Sequence, residues 1–345
     1  MRKKRDISIL DVTIRDGSYS INYQYTPRQV AEVSGALDRA GIDYIEVSHG
    51  CGLGAAENLG FPSAASDADY VKAAKAAVLK AKVGVIAGPS PVTQERDIDS
   101  IIREVDFIRF AANCDNPGIL EKNADYARKR RPGIALFMQM MRSTRRPKRD
   151  LIAAARRAES MGFSIVYLVD TAGHFVPEEV EDLIAALSAK LSIGVGFHGH
   201  DNLRLAVANS MAAVEAGAVS VDASLRGIGR AAGNAQMECL VSLLKRVGYV
   251  KNVDLAKLLE AGEKIIAPVM PPRRGVEALD VATADANIDI YPLEPYERIA
   301  AKLGVSIQEL IDALGGDPST VEFSPSDAQR LLGKRGAGRG KSPRR

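Results

Sequence analysis

Two histidines separated by one residue, His198 and His200, follow the apolar run 193–197. In a β-strand, residues i and i+2 point to the same face, so both imidazoles would project towards one point at the end of this strand. Neutral imidazoles are good ligands for zinc, manganese, iron and cobalt. The alternative is a pair of solvated loop histidines. The spacing therefore indicates a divalent-metal site if another strand supplies a further ligand.

A carboxylate for such a site lies near the start of the chain, in the segment ISILDVTIRDGSYS at 7–20. A strand-like run over 7–12 precedes Arg15, Asp16 and Gly17. Asp16 would add one oxygen ligand to two histidine nitrogens, which leaves coordination positions open, as in catalytic metal sites. Arg15 offers a planar cation for a carboxylate or a developing enolate. For an isolated Arg-Asp-Gly, a surface turn would be the simpler interpretation.

Composition is that of an ordinary globular protein, with 345 residues, 46% hydrophobic and 26% charged. The net charge is +3, and the sequence predicts a basic, disordered tail over 324–345. No apolar run reaches the length of a membrane span. Three widely spaced cysteines (51, 114 and 239) fit reduced thiols. These features predict a cytoplasmic protein with no membrane association and no specific nucleic-acid partner.

Short apolar runs alternate with helix-length stretches along the chain. The strands are predicted at 7–12, 42–48, 82–87, 105–111, 133–139, 164–170, 193–198 and 219–224. The helices are predicted at 27–40, 66–80, 92–103, 118–130, 148–161, 177–190, 202–216 and 234–247. Eight strand–helix units predict an α/β fold, a (β/α)8 TIM barrel over 1–254, with a small helical C-terminal region over 255–323. An open doubly wound sheet is the alternative.

Polar residues favour the closed barrel over the open sheet. They fall at or just past the carboxyl ends of predicted strands, and only a barrel brings all these ends to one face. The residues concerned are Asp16, His49, Arg109, Gln139, Asp170, His198, His200 and Asp222.

Four motifs resemble one enzyme family: DVTIRDGSY, IEVSHGCGLG, GFHGHDNLRLAVANSMAAVEAG and VDASLRGIGRAAGNAQME. They are similar to the 4-hydroxy-2-oxovalerate aldolases, which share a metal-dependent barrel superfamily with HMG-CoA lyase and isopropylmalate synthase. The resemblance implies that Asp16, His198 and His200 hold a divalent ion and lie at the substrate. It also implies that Arg15 binds the keto acid and stabilises its enolate, and that Thr171 provides a hydroxyl where the family has a serine.

The resemblance further implies the cofactor and the partners. Manganese is the expected ion, and cobalt, magnesium or zinc would also suit the ligands. The substrate would be a small keto acid or aldehyde. The region 255–323 corresponds to the part of the family that contacts an acylating aldehyde dehydrogenase, and a homodimer through this region is the alternative.

The chain departs from the family at the proton acceptor, because Tyr19 stands where the family has a histidine. A phenol with a pKa near 10 is a poor base at neutral pH. His49 is the competing candidate, although a structural hydrogen bond would explain it equally well. Asn234 could reach the metal or cap a helix, and Tyr291 is a candidate for the family's substrate-binding tyrosine.

The sequence thus predicts a divalent-metal-dependent aldolase or lyase. It would cleave or form a carbon–carbon bond of a 4-hydroxy-2-keto acid, giving pyruvate and an aldehyde through a stabilised enolate. Two alternatives stay open: an acyl-CoA-dependent Claisen-type synthase and a non-catalytic metal-binding barrel.

Overall fold

The computed structural model describes residues 6–271, 276–291, 293–315, 323–324, 326–328 and 330–332. Most of the predicted tail at 324–345, including all of 333–345, lies outside the described residues. Within the described part of the chain, no helix is long and apolar enough to cross a membrane.

Eight parallel strands close into a barrel in the order of the chain, and β1 pairs with β8. The predicted (β/α)8 barrel is confirmed. The strands are β1 Ser8–Asp11, β2 Tyr44–Glu46, β3 Lys82–Ala87, β4 Phe107–Asn113, β5 Ala135–Met141, β6 Ile165–Asp170, β7 Gly194–Gly199 and β8 Ser220–Ala223.

Helices follow the strands and cover the outside of the barrel. Their starts agree with local signals: Thr26 accepts a hydrogen bond from the Gln29 amide, and Ser66 accepts one from the Asp69 amide. The helices are α1 Pro27–Ala40, α2 Ala55–Asn58, α3 Asp67–Ala77, α4 Glu95–Ile101, α5 Glu121–Arg130, α6 Lys148–Ser160, α7 Pro177–Lys190, α8 Ala206–Glu215, α9 Met237–Val247, α10 Leu255–Ala261, α11 Ala278–Asp285, α12 Glu294–Leu303 and α13 Ile307–Gly315. The short helix α2 is not among the predicted ones.

An apolar layer fills the barrel interior. It contains Phe107, Phe137 and Tyr167, whose rings pack on one another. Glycines make room for these rings, since a Cβ at Gly84 or Gly196 would come within 2.5 Å of the Phe107 or Tyr167 ring. Because these rings fill the interior, a ligand site has to lie beyond them, at an end of the barrel.

The C-terminal helices have a hydrophobic cluster of their own, which includes Ile288, Ile290 and Leu310. Helix α10 instead contributes Leu258 and Ala261 to the main core of the barrel. The boundary predicted at 254/255 stays a prediction, and this division of the cores favours one beyond α10.

Candidate active site

The structure brings the three predicted metal ligands together. Asp16 follows β1, His198 lies in β7, and His200 follows it directly. Their candidate ligand atoms all lie within 4.8 Å of one another, and all three residues are buried. The placement follows from the fold, because β1 and β7 are both neighbours of β8 and end at the same face of the barrel.

The two histidines are oriented by their Nδ1 atoms. His198 Nδ1 lies 2.8 Å from Asp222 Oδ2, and His200 Nδ1 lies 3.2 Å from the Gly233 carbonyl oxygen. Because both partners are acceptors, each Nδ1 carries the proton, and each Nε2 keeps its lone pair. Metal-binding histidines show the same arrangement, with the second nitrogen donating to a carboxylate or carbonyl.

The charge states also suit a divalent ion. Burial opposes ionisation of Asp16, but the Arg15 guanidinium beside it holds the pKa of its carboxyl well below the usual range. Burial, aided by Arg230, lowers the pKa of His200 well below its ordinary value. An anionic carboxylate beside a neutral imidazole, here that of His200, is the form that metals bind. The residues present therefore fit a divalent cation.

Arg230 also contacts this centre. Its Nη2 lies 3.2 Å from His200 Nε2, and its backbone amide donates to Asp16 Oδ2. Asn234 Nδ2 donates to the same Asp16 oxygen at 2.8 Å, so Asn234 positions the carboxylate. A metal bound through His200 Nε2 would replace the hydrogen bond from the Arg230 side chain.

A buried chain of ion pairs links Arg15 to His198. Arg15 Nε donates to Glu46 at 2.7 Å, and Arg109 binds the same carboxylate at 2.6 and 2.8 Å. Arg109 Nη1 then donates to Asp222 at 2.5 Å, and Asp222 holds His198. Burial opposes ionisation of Asp222, but Arg109 and His198 keep its pKa below the usual value. The chain fixes the orientation of a candidate ligand and of a candidate catalytic cation.

Glu46 is the member of this chain that the sequence analysis missed. Arg109 and Asp222 fall at the ends of predicted strands, whereas Glu46 falls inside the predicted apolar strand over 42–48. The carboxylate of Glu46 between the apolar neighbours Ile45 and Val47 was the available signal. It indicates a buried partner, because an unpaired buried charge is too costly to keep.

The three candidate ligands line a cavity of about 230 Å³ at the carboxyl ends of the strands. Its lining includes Arg15, Tyr19, Gln139, Thr171 and Tyr291 together with the three ligands. Arg15 Nη2 is buried there without a hydrogen-bond partner among the described residues. The Thr171 hydroxyl accepts from the Arg142 amide at 2.7 Å, so its own proton can still be donated. The cavity thus combines the candidate metal centre with an unsatisfied guanidinium donor.

The two candidate bases lie in different places. Tyr19 lines the cavity, and burial, together with the Cys51 thiol, raises the pKa of its phenol well above the usual value. His49 does not line it. The His49 Nδ1 accepts from the Cys51 amide at 3.1 Å, and its Nε2 donates to the Phe61 carbonyl at 2.9 Å. Burial lowers the pKa of His49 to about 4.

The fold and the site define a TIM-barrel protein with a candidate centre of two histidines and one carboxylate. The HMGL-like family model matches residues 6–265, and the chain belongs to this family. It is 38% identical to a 4-hydroxy-2-oxovalerate aldolase of Carboxydothermus hydrogenoformans, over 91% of this chain and 93% of that protein.

The chain is also similar to a second relative and to a solved structure. The chain is 34% identical to an oxaloacetate decarboxylase of Mycobacterium tuberculosis, over 95% of this chain and 96% of the relative. A pyruvate carboxylase of Rhizobium etli superposes with a TM-score of 0.78 at 16% identity, over 98% of this chain and 34% of the carboxylase chain. At that identity the likeness shows the fold alone.

Proposed function

We propose that this protein is a divalent-metal-dependent lyase that cleaves a 4-hydroxy-2-keto acid into pyruvate and an aldehyde. The observation that carries the proposal is the meeting of Asp16, His198 and His200 in a cavity that Arg15 also lines. The relatives named 4-hydroxy-2-oxovalerate aldolase support the same reaction class. The substrates would be small keto acids and aldehydes.

Asp16, His198 and His200 would hold the metal, which supplies Lewis acidity to the keto oxygen when bound. Manganese is the expected ion, with cobalt, magnesium or zinc as alternatives. Arg15 binds the carboxylate of the keto acid and stabilises negative charge as the enolate develops. Its unsatisfied Nη2 supports this role, since a substrate oxygen would complete its hydrogen bonds. Thr171, which also lines the cavity, adds a hydroxyl donor.

Proton transfer falls to Tyr19 rather than His49 in this proposal. Tyr19 is in the cavity, whereas both ring nitrogens of His49 are bound to backbone groups. A protonated phenol is suited to donating to the aldehyde oxygen during bond formation, and in cleavage its conjugate base, the phenolate, accepts the proton of the substrate hydroxyl. Asn234 acts by holding Asp16, and Tyr291 faces the substrate.

Pyruvate release from a hydroxy-keto acid by the manganese-loaded protein tests the proposal. Exchange of the pyruvate methyl protons in deuterated water measures enolate formation without an aldehyde. Tyr19→Phe should slow pyruvate release, whereas His49→Ala should not abolish exchange if the protein folds. Absence of both reactions in the metal-loaded wild type would contradict the proposal. Free thiol release from acetyl-CoA would indicate the Claisen-type synthase. Metal binding without turnover would indicate a non-catalytic barrel.

Decarboxylation of a 2-keto dicarboxylic acid is the second candidate. Loss of carbon dioxide forms the same enolate, but no hydroxyl proton has to be removed. A phenol with a raised pKa in place of a histidine base suits this reaction, and a relative is named oxaloacetate decarboxylase. Carbon dioxide release from oxaloacetate, faster than cleavage of any hydroxy-keto acid, would favour it.

The cellular setting follows from the sequence. We propose a cytoplasmic location on the basis of the sparse cysteines, and an interaction through the C-terminal region predicted at 255–323. Its partner would be an acylating aldehyde dehydrogenase or a second copy of this chain. Size-exclusion chromatography with light scattering tests the homodimer.

A further inference from the structure

A second, larger cavity adjoins the candidate metal cavity. It has a volume of about 480 Å³, against about 230 Å³ for the inner one. Tyr19, Arg230 and Tyr291 line both cavities and thus form their common boundary. A substrate held at the metal by its keto acid end could therefore extend past Tyr19 into the outer space.

Aromatic and aliphatic side chains form much of the outer cavity, alongside the polar Ser20 and Asn22 and the charged Arg230 and Glu294. Tyr19, Tyr23, Phe61 and Tyr291 contribute four rings, and Leu293 and Pro271 add aliphatic surface. Three of these rings form a connected wall, since Tyr19 and Tyr23 meet edge to face at 5.3 Å and Tyr23 lies 6.1 Å from Phe61. Such a surface binds an apolar group better than a charged one.

The charged residues at this cavity are already engaged or peripheral. Arg230 forms an ion pair with Asp289, donates to the Thr171 carbonyl at 2.8 Å, and lies 5.4 Å from the Tyr291 ring centroid. Glu294 is exposed at the start of α12. A carboxylate in the outer cavity would gain little from Arg230, whose donors are already engaged, and would be repelled by Glu294.

Contacts of the Tyr23 ring and hydroxyl hold this part of the wall in a strained backbone conformation. Tyr23 has a φ of 63° and Asn22 a φ of 51°, a left-handed conformation that is costly for a tyrosine. The Tyr23 ring is stacked on His49 at 4.1 Å, and its hydroxyl lies 3.4 Å from Cys51 Sγ. His49, fixed by two backbone hydrogen bonds, therefore supports the wall rather than the chemistry.

We propose that the outer cavity binds an aryl or medium-chain alkyl substituent on the substrate, the group that departs with the aldehyde. The inference rests on the proposed aldol cleavage and names its substrate class. In cleavage, the C4 hydroxyl transfers its proton to the Tyr19 phenolate, and the C3–C4 bond breaks with its electron pair passing into the enolate. C4 becomes the aldehyde carbonyl with its substituent in the outer cavity, and protonation of C3 gives the methyl group of pyruvate.

The test measures aldol addition of pyruvate to a series of aldehydes by the manganese-loaded protein. We expect kcat/KM for hexanal and benzaldehyde to exceed that for acetaldehyde by about tenfold or more, because each methylene in an apolar pocket contributes strongly to selectivity. Pentanal should also be preferred to succinic semialdehyde, which has a carboxylate at its far end. A preference for acetaldehyde or for succinic semialdehyde would overturn the inference.

Two controls separate this inference from the proposed function. Proton exchange at the pyruvate methyl group reports enolate formation alone. If exchange occurs but acetaldehyde is the preferred aldehyde, only the outer-cavity proposal is contradicted. If exchange is absent, the proposed function itself is contradicted. Phe61→Ala should lower the ratio of hexanal to acetaldehyde kcat/KM by about tenfold. Tyr126→Ala, which removes a half-buried ring on α5 away from both cavities, should keep the ratio. The wild-type profile decides the proposal even if Phe61→Ala does not fold.

Discussion

Arg15 connects the candidate metal centre to the buried charges beneath it. Its Nη1 donates to Asp16 at 2.6 Å and its Nε to Glu46 at 2.7 Å, which leaves Nη2 for a ligand. Two fixed contacts on a planar group determine the direction of the third donor. A lysine would retain the charge but could not satisfy this geometry.

Arg15→Lys should therefore reduce kcat more than it raises KM. We expect a loss in turnover of about 10²-fold, which is typical for removal of one donor to a developing oxyanion. Steady-state kinetics of pyruvate formation would measure it, with Arg204→Lys, at an exposed position, as the matched control. An unchanged kcat with only a raised KM would show that Arg15 binds the ground state alone.

His49 is predicted to affect stability rather than catalysis. Burial lowers the pKa of His49 from 6.5 to about 4. The folded state is therefore protonated at a lower pH than the unfolded state. The contribution of neutral His49 to the free energy of unfolding is fully present above pH 6.5 and is lost as the pH falls towards 4. His49→Gln, which cannot titrate, should flatten this part of the stability profile.

Thermal unfolding of wild type and His49→Gln from pH 7 to pH 4.5 would test this, with His174→Gln as the control. Parallel profiles for wild type and His49→Gln would show that protonation of His49 is not coupled to folding.

At the scale of elements, the charge chain joins four strands of the barrel. Glu46 lies at the end of β2, Arg109 in β4, and Asp222 in β8, while Arg15 follows β1. Arg109 is fully buried and contacts both Glu46 and Asp222. Removing one partner from such a network leaves uncompensated buried charge, which is more costly than the intact network is stabilising.

Arg109→Met should lower the free energy of unfolding by about 3–5 kcal/mol. It should also weaken metal binding by about 10–100-fold, because Asp222 would orient His198 less firmly. Urea unfolding and metal titration measure the two effects. Arg128→Met, in a half-exposed pair with Asp125 on α5, should cost less than about 1 kcal/mol. A similar small loss for Arg109→Met would argue against the network.

The sequence predicted the barrel well because buried parallel strands give continuous apolar runs whatever their exact contacts. The candidate ligands Asp16, His198 and His200 could be grouped from the sequence because each lies at a strand end, and the carboxyl ends of the barrel strands share one face. Partners of these residues are harder to predict. Glu46 gives no periodic signal, and the two backbone hydrogen bonds of His49 depend on the path of a loop.

At the scale of the whole molecule, the C-terminal segment completes the site. Asp289 forms ion pairs with Arg230 from the β8 loop and with Arg142 from the end of β5, and Tyr291 lines both cavities. The sequence predicted helices in this region but could not place it against the barrel, because ion pairs between distant segments leave no local pattern. Both cavities therefore depend on residues from opposite ends of the chain.

The central claim is that Asp16, His198 and His200 bind one divalent ion. Equilibrium dialysis of the purified protein against manganese or cobalt, with elemental analysis of bound metal, tests it most directly. We expect about one ion per chain in wild type, and loss of stoichiometric binding in His200→Ala with the circular dichroism spectrum unchanged, since three ligands are the usual minimum for such a site. His174→Ala serves as the matched histidine control and should retain the ion. Wild-type metal content in folded His200→Ala would contradict the account.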